Sequence, residues 1–114
     1  MKTQEIGRIY ISGPVTGCED YKRRFNAAEK FIEQELGAAA VNPVDVLLPL
    51  SESKEDFTSE EFMHICYSLM DLCDAILMLP GWEASKGACI EYGYALGKDM
   101  IAIFASREDI GEQA

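Results

Sequence analysis

The sequence has few basic residues, a single histidine and no long apolar run. Its 10 lysines and arginines stand against 20 aspartates and glutamates, which gives a formal net charge of −10. An acidic chain repels nucleic-acid backbones and anionic membranes, so we expect neither a nucleic-acid polymer nor a membrane as partner. A small-molecule ligand is the better expectation. A phosphate on that ligand would be held by backbone N–H groups and a few local donors.

Signals for export and for metal binding are also missing. No apolar stretch has the length of a signal peptide or of a membrane span, so we expect a cytoplasmic protein. The four cysteines have neither CxxC pairing nor zinc-ligand spacing, and we interpret them as reduced, mostly buried thiols: Cys18, Cys66, Cys73 and Cys89. His64 has too few potential partners to suggest a metal site, and we expect no metal or organic cofactor.

What is present suits one ordered domain over residues 1–114. Hydrophobic residues make up 48% of the chain and charged residues 26%, as in ordinary globular proteins. Apolar spacing and turn residues predict four strands, at Arg8–Ile11, 38–43, Ala75–Leu79 and Met100–Phe104. They predict three helices, at Tyr21–Leu36, from Thr58 or Ser59 to no further than Asp74, and at Ser85–Gly97. Two segments show no period: Val44–Asp56, expected to be a surface loop or irregular flap, and Ala105–Ala114, expected to be a polar tail.

The alternation of strands and helices predicts an α/β fold. We expect a Rossmann-like or flavodoxin-like three-layer domain, with a parallel sheet of four or five strands in the order 2-1-3-4. In such sheets ligands bind at the carboxyl ends of the strands where the order reverses, here between the first and third strands. The loops that leave those strands are "SGPVTG" and "PGWEASKG", the most glycine-rich and distinctive loops of the chain. We therefore expect the site there.

Glu91 is the first candidate for chemistry. It lies in the second turn of the last helix, and the small residues Gly87, Ala88 and Ala95 around it could leave space for a ligand. A buried carboxylate without a partner is costly, so the residue needs a reason to be there. One interpretation is a carboxylate that points into a pocket. The other is a structural glutamate paired with a tyrosine hydroxyl or a backbone amide.

Other residues of the two loops also have two interpretations each. Ser85 is most simply the N-cap of its helix, and its hydroxyl with the nearby amides could also bind phosphate. Tyr10 is either a core aromatic or a hydroxyl that reaches the crevice. Trp82 could stack on a base or contact a second subunit. Asp74 is more often a structural acceptor for backbone N–H groups than a catalyst.

Two segments, "RIYISGPVTG" and "CDAILMLPGWEASKGACIEYGYALGK", resemble the nucleoside 2-deoxyribosyltransferase superfamily. The closer resemblance is to its short branch of uncharacterised proteins with a GWExSxGAxxE segment, known as the domain of unknown function 4406 family. It covers about Arg8 to Phe104. The serine six residues before the glutamate also resembles the 2'-deoxynucleoside 5'-phosphate N-hydrolases of the same superfamily.

The resemblance implies an N-glycosidase or deoxyribosyltransferase-like enzyme acting on a nucleoside or nucleotide. Glu91 would be the nucleophile, Tyr10 would orient it or touch the sugar, and Ser85 would bind a 5'-phosphate. Substrate-binding residues would come from both loops: Ser12, Gly13, Pro14, Gly17, Trp82, Ser85 and Gly87. Relatives of this kind form dimers or larger assemblies, so we expect a homodimer or larger homo-oligomer.

One position departs from the superfamily pattern. An aspartate usually lies eight residues before the position of Asp74, where it helps to protonate the departing base, and here Cys66 stands there. Asp71 or Glu83 could take over as the acid, and Asp71 is the catalytic candidate that we name beside Glu91 and Tyr10. The alternative function is a nucleotide-binding module with weak or no turnover.

Overall fold

The computed structural model describes residues 6–51 and 58–112. In these two ranges, four strands form one sheet: β1 (Arg8–Ser12), β2 (Ala39–Val41), β3 (Ala75–Met78) and β4 (Ile101–Phe104). The α-helices that connect or flank them there are α1 (Tyr21–Phe31), α2 (Pro43–Ser51), α3 (Ser59–Met70) and α4 (Lys86–Gly97). A π-helical turn, Ile32–Leu36, extends α1, and 3-10 turns lie at Trp82–Ala84 and Glu108–Ile110.

The sheet is parallel throughout and has the order β2-β1-β3-β4, as the sequence predicts. Ile9 of β1 pairs with Ala75 of β3, and Ser12 pairs with Met78. The chain leaves β1 toward β2 on one side and reaches β3 on the other. The carboxyl ends of β1 and β3 therefore form the switch point at which open α/β sheets bind ligands.

The strands are covered on both faces, which gives three layers. Ile9 and Ile11 of β1 point to one face and pack in a core with Phe25 and Ala28 of α1. Tyr10 points to the opposite face, into a second core that contains Cys66 of α3 and Ala88 of α4. The alternation of side chains along β1 thus assigns Tyr10 and Ser12 to the face of α3 and α4.

Three helix boundaries follow from predicted capping residues. Gly37 has φ 64° after the π-helical turn, a left-handed conformation that glycine adopts without strain. Thr58 is the N-cap of α3, where its hydroxyl accepts from the Glu61 N–H and the Glu61 carboxylate accepts from the Thr58 N–H. Ser85 is the N-cap of α4.

The prediction of a loop at Val44–Asp56 is wrong over its first part, because residues 43–51 form α2. Pro43 occupies the first helical position, where its missing N–H costs nothing, and the Asn42 side chain accepts from the Val44 N–H. Pro49 lies inside this helix and does not end it, although a proline at such a position usually indicates a helix end. Residues 52–56 of the predicted loop lie outside the described residues.

The C-terminal segment is not a polar tail over residues 105–112. Ala105 and Ile110 are buried, and Ile110 packs in the core on the face of α1. The strand before it, β4, is a partly exposed edge strand rather than a buried one, since Phe104 is 53% exposed. Gln113 and Ala114 lie outside the described residues.

The four cysteines are free, but only Cys66 is buried. Cys18 and Cys73 are half-buried and Cys89 is exposed, so the prediction of mostly buried thiols is wrong. Among the described residues, no helix combines the length and apolarity that crossing a membrane requires.

Candidate active site

Glu91 lies in the middle of α4 with its side chain turned toward the sheet. The residue is 8% exposed, although it is the only acidic residue of the helix. Because α4 begins at the carboxyl edge of the sheet, its second turn lies beside the end of β1. The sequence places a negative charge where water has little access.

Two hydroxyl groups of β1 hold the carboxylate. The Tyr10 hydroxyl donates to Oε2 of Glu91 at 2.5 Å, and the Ser12 hydroxyl donates to Oε1 at 2.6 Å. Both donors are fully buried. Hydrogen bonds to an ionised acceptor are shorter and stronger than neutral ones, so each oxygen of Glu91 has a fixed position.

Cys66 of α3 completes this group of side chains. Its side chain lies in the same core as Tyr10, close enough to Tyr10 and Glu91 to change their pKa values, so the residue that replaces the usual aspartate lies inside the candidate site. Burial raises the pKa of the Cys66 thiol to about 11, and the adjacent Glu91 charge adds to the shift although Tyr10 opposes it. The thiol stays protonated at neutral pH.

Burial and hydrogen bonding act in opposite directions on Glu91. Loss of hydration raises its pKa above the ordinary value, while donation from Ser12, Tyr10 and Cys66 lowers it, and the net direction is upward. The pKa of Tyr10 is raised well above its ordinary value, first by burial and then by the Glu91 charge. Tyr10 therefore remains a donor to Glu91 at neutral pH.

The first turn of α4 borders the same edge of the sheet. The Ser85 hydroxyl accepts from the Ala88 N–H at 3.2 Å, which is the N-cap contact that the sequence predicts. A side chain at Gly87 would meet nothing within 4 Å, so this backbone is open to approach. Ala88 and Ala95 do not leave space for a ligand, which corrects the expectation for them, because both are buried in the second core.

The residues at the end of β1 and in the loop after it lie on different faces of the sheet. Ser12 contacts Glu91, whereas Pro14 and Gly17 line an open cleft on the face of α1. Gly13 lies between them, and a Cβ there would come within 2.7 Å of the Leu79 side chain. Glycine at position 13 lets the ends of β1 and β3 approach each other.

Trp82 lies in the 3-10 turn after β3 and is half-buried. Its ring packs against Tyr92 at 4.9 Å and Phe104 at 5.9 Å between centroids. Both contacts are made within the chain, and they fix the turn that leads to Ser85.

Asp71 is not brought together with Glu91. It follows the last residue of α3, before β3 begins, and so lies at the amino edge of the sheet, where its carboxylate accepts from the Tyr94 hydroxyl at 2.7 Å. Lys98 lies 3.7 Å from the same oxygen. Asp74 is at that edge too, where it accepts from the Gly7 and Arg8 N–H groups, the structural role expected for it.

Sequence reasoning missed two features at the carboxyl edge of the sheet. The direct bond from Ser12 to Glu91 follows from the alternation in "YIS", which puts residues 10 and 12 on one face. The second feature is a group of charged residues on the face of α1, namely Arg23, Arg24, Arg107 and Glu112. Their meeting depends on the path of the C-terminal segment, which has no sequence signal.

The fold and the site define an α/β protein with a buried, hydroxyl-bound carboxylate at the switch point of a parallel sheet. Within this class, the chain belongs to the family described as Domain of unknown function (DUF4406), whose model matches residues 7–104. The matched range includes Tyr10, Ser12, Cys66 and Glu91 and ends before Arg107. No curated protein sequence matches the chain.

Proposed function

We propose that the protein cleaves the N-glycosidic bond of a nucleoside or nucleoside 5'-monophosphate, with Glu91 as nucleophile. The observation that carries this proposal is the buried Glu91 carboxylate, whose two oxygens accept from the Tyr10 and Ser12 hydroxyls. The superfamily resemblance of the two loops supports the choice of substrate class.

The chemistry requires one attacking oxygen and one leaving group. A Glu91 oxygen bonds to the anomeric carbon of the sugar while the bond to the base breaks, and the base leaves with the electron pair and takes a proton. The product is a glycosyl ester of Glu91. Water, or a second base, then attacks the same carbon and releases the carboxylate, which gives hydrolysis or transfer.

The surroundings of Glu91 suit this role. A poorly hydrated carboxylate is more reactive than an exposed one, and its charge stabilises the positive charge that develops on the sugar. Tyr10 and Ser12 hold the carboxylate in one orientation without supplying a competing positive charge. For a nucleotide substrate, the Ser85 hydroxyl and the amides near Gly87 would receive the 5'-phosphate.

The leaving base has to receive a proton. In the superfamily that the sequence resembles an aspartate helps to supply it, but Cys66 occupies that position here, so another group must be the donor. Cys66 lies beside Glu91, but its pKa of about 11 makes it a weak acid. Of the two replacements considered from the sequence, Glu83 lies on the turn that leads to Ser85, whereas Asp71 is engaged with Tyr94 at the opposite edge. We therefore favour Glu83, or the solvent, as the proton source.

Base release from a panel of nucleosides, deoxynucleosides and their 5'-monophosphates tests the proposal. We expect release by the natural protein, and a loss on the order of 10³-fold or more in Glu91→Gln, because the nucleophile is removed. Glu60→Gln, at an exposed position of α3, is the matched control and should keep full activity. No release from any substrate, or equal release by Glu91→Gln, would contradict the proposal.

The second candidate is a nucleotide-binding module without turnover, and the observation that favours it is the thiol of Cys66 at the acid position. Calorimetry that detects nucleotide binding without product, and no gain of activity in Cys66→Asp, would support the module. A large gain in Cys66→Asp would instead identify an enzyme weakened by the loss of its acid.

A further inference from the structure

An open cleft of about 570 Å³ lies at the carboxyl ends of β1 and β3, on the face of the sheet that α1 covers. Its size is in the range of small-molecule sites. Three of the four arginines of the chain line it, although the whole protein carries a net charge of −10. Tyr10, Ser12 and Glu91 are not among its lining residues, whereas Pro14 and Gly17 of the loop after β1 are, so the cleft adjoins the candidate active site without containing its carboxylate.

The most buried of these arginines is held by two acceptors. The Arg24 side chain is 9% exposed, and its guanidinium donates through Nε to Glu112 at 2.7 Å and through Nη2 to the Pro80 carbonyl at 2.7 Å. These contacts fix the guanidinium plane at the wall of the cleft. Arginine held in this way is pre-organised to bind a planar carboxylate or a phosphate.

Two further arginines approach the same Glu112 carboxylate. Arg23 donates to its Oε2 at 2.8 Å and also to Asp20 at 3.0 Å. Arg107 lies 3.9 Å from Oε1, and its side chain is 61% exposed. Three cations thus face two carboxylates, and the Arg107 guanidinium has only this distant partner among the ion pairs of residues 6–51 and 58–112.

Glu112 is held at the cleft by an ordered turn of the C-terminal segment. Ile110 is buried in the core, Gly111 adopts φ 73°, and the Glu112 N–H donates to the Arg107 carbonyl at 2.7 Å. On the other side, Gly17 has φ 77°, and a Cβ there would meet nothing within 4 Å. Within residues 6–51 and 58–112, Glu112 is the acidic side chain that pairs with all three arginines at the wall of this cleft.

We propose that this cleft is a binding site for a small phosphomonoester, and that Glu112 occupies the position of the phosphate when no ligand is bound. The phosphate oxygens would accept from Arg24 and Arg23 in place of Glu112 and would bring the exposed Arg107 into contact. A phosphate dianion satisfies three guanidinium groups better than one carboxylate does, because it offers more acceptor oxygens and more charge. The site does not use Glu91 and goes beyond the proposed glycosidase activity.

Titration with inorganic phosphate at constant ionic strength, with binding followed by calorimetry and by amide NMR shifts, tests this site. We expect Glu112→Gln to bind phosphate roughly tenfold more tightly, because the competing carboxylate charge is gone while the side-chain shape is kept. Arg107→Ala should weaken binding by roughly tenfold without unfolding, because that side chain is exposed. Lys98→Ala, which removes an exposed cation far from the cleft, is the matched control and should not change binding.

Ser85→Ala separates this site from the phosphate position proposed for the substrate. Phosphate affinity that rises in Glu112→Gln and falls in Arg107→Ala, with phosphate-induced shifts of the Gly111 and Glu112 amides that persist in Ser85→Ala, supports the arginine cleft, whatever the outcome of the base-release assay. No phosphate binding by Glu112→Gln, or affinities unaffected by Glu112→Gln and Arg107→Ala, would overturn the proposal. The arginines would then serve only to tie the C-terminal turn to α1.

Discussion

Glu91 combines two properties that oppose each other in a folded protein. Its burial destabilises the ionised form, and the hydroxyls of Tyr10 and Ser12 restore part of the lost hydration. A carboxylate kept for structure alone would lose stability when a neutral group of the same shape replaces it. A carboxylate kept for chemistry would lose function by the same change, while the fold would gain stability.

Glu91→Gln should therefore stabilise the protein at neutral pH, by on the order of 1 kcal/mol. The pKa of Glu91 is raised in the fold above the ordinary 4.5. As pH rises from 4.5 to the raised pKa, the native state keeps a proton that the unfolded chain has lost, so stability falls. Urea unfolding of both proteins, at neutral pH and below pH 4.5, measures the difference. A Gln variant that is less stable at both pH values would show a structural carboxylate.

Tyr10→Phe should move the acid limb of the activity profile to higher pH. The Tyr10 hydroxyl lowers the pKa of Glu91, and its removal leaves the burial effect less opposed. We expect kcat/KM to fall by about 10- to 100-fold as well, because a hydrogen bond to a charged group is lost. The measurement is kcat/KM against pH for the preferred substrate.

Tyr94→Phe is the control for that profile. It also removes a tyrosine hydroxyl bonded to a carboxylate, but at the opposite edge of the sheet, on Asp71. Its acid limb should coincide with that of the natural protein. A limb that stays in place in Tyr10→Phe, or moves equally in both variants, would contradict the role assigned to Tyr10.

At the scale of the secondary-structure elements, the ends of β1 and β3 pack closely where Gly13 meets the Leu79 side chain. The Gly13→Ala change introduces a Cβ 2.7 Å from two carbons of the Leu79 side chain, and overpacking of this kind costs about 1 to 3 kcal/mol. In Gly93→Ala the new Cβ meets open space inside α4, and the better helix propensity should add about 0.5 to 1 kcal/mol. Thermal or urea unfolding compares the two. Equal effects of both changes would mean that the contact at Gly13 is not tight.

The elements that the sequence predicts best are those whose signals are local. The apolar spacing of α1, the cap at Thr58 and the strand before the loop of Ser12 are all confirmed. The helix at Pro43–Ser51 was missed because its two prolines suggest breaks, while the first one in fact begins the helix. A proline at the first helical position looks the same in a sequence as one that ends a strand.

The same distinction between local and long-range signals holds for the functional residues. The motif around Glu91 and the face of β1 identify Tyr10, Ser12 and Ser85, and the structure brings Tyr10 and Ser12 to the carboxylate. The meeting of Arg24 with Glu112 joins residues 88 positions apart, through a C-terminal turn that Ile110 anchors in the core. Long-range pairs of charged residues leave no period or spacing in the sequence.

For the molecule as a whole, the outer face of α4 is exposed and largely apolar. Ile90 is 40% exposed and Leu96 is 52% exposed, with Cys89, Gly93 and Gly97 beside them and no charged residue between Lys86 and Lys98 except the buried Glu91. Apolar helix faces of this kind are typical of contacts between subunits. A second copy of the chain is the occupant that we expect.

Light scattering should therefore give a mass of at least a dimer at micromolar concentration. Leu96→Lys should shift the protein toward the monomer, because the charge would be buried at the contact. Leu72→Lys changes a side chain that is 60% exposed outside α4 and should leave the mass unchanged. A monomeric natural protein, or equal masses for both variants, would contradict an interface on α4.

The most direct test of the nucleophilic role is capture of the glycosyl ester on Glu91. A 2'-fluoro-2'-deoxynucleoside 5'-monophosphate destabilises the positive charge on the sugar and slows breakdown of the ester, so the intermediate should accumulate. Mass spectrometry of the quenched protein should find one added sugar phosphate, on the peptide that contains Glu91, and none in Glu91→Gln. Base release with the label on another residue, or with no covalent label while the natural substrate turns over, would contradict the account.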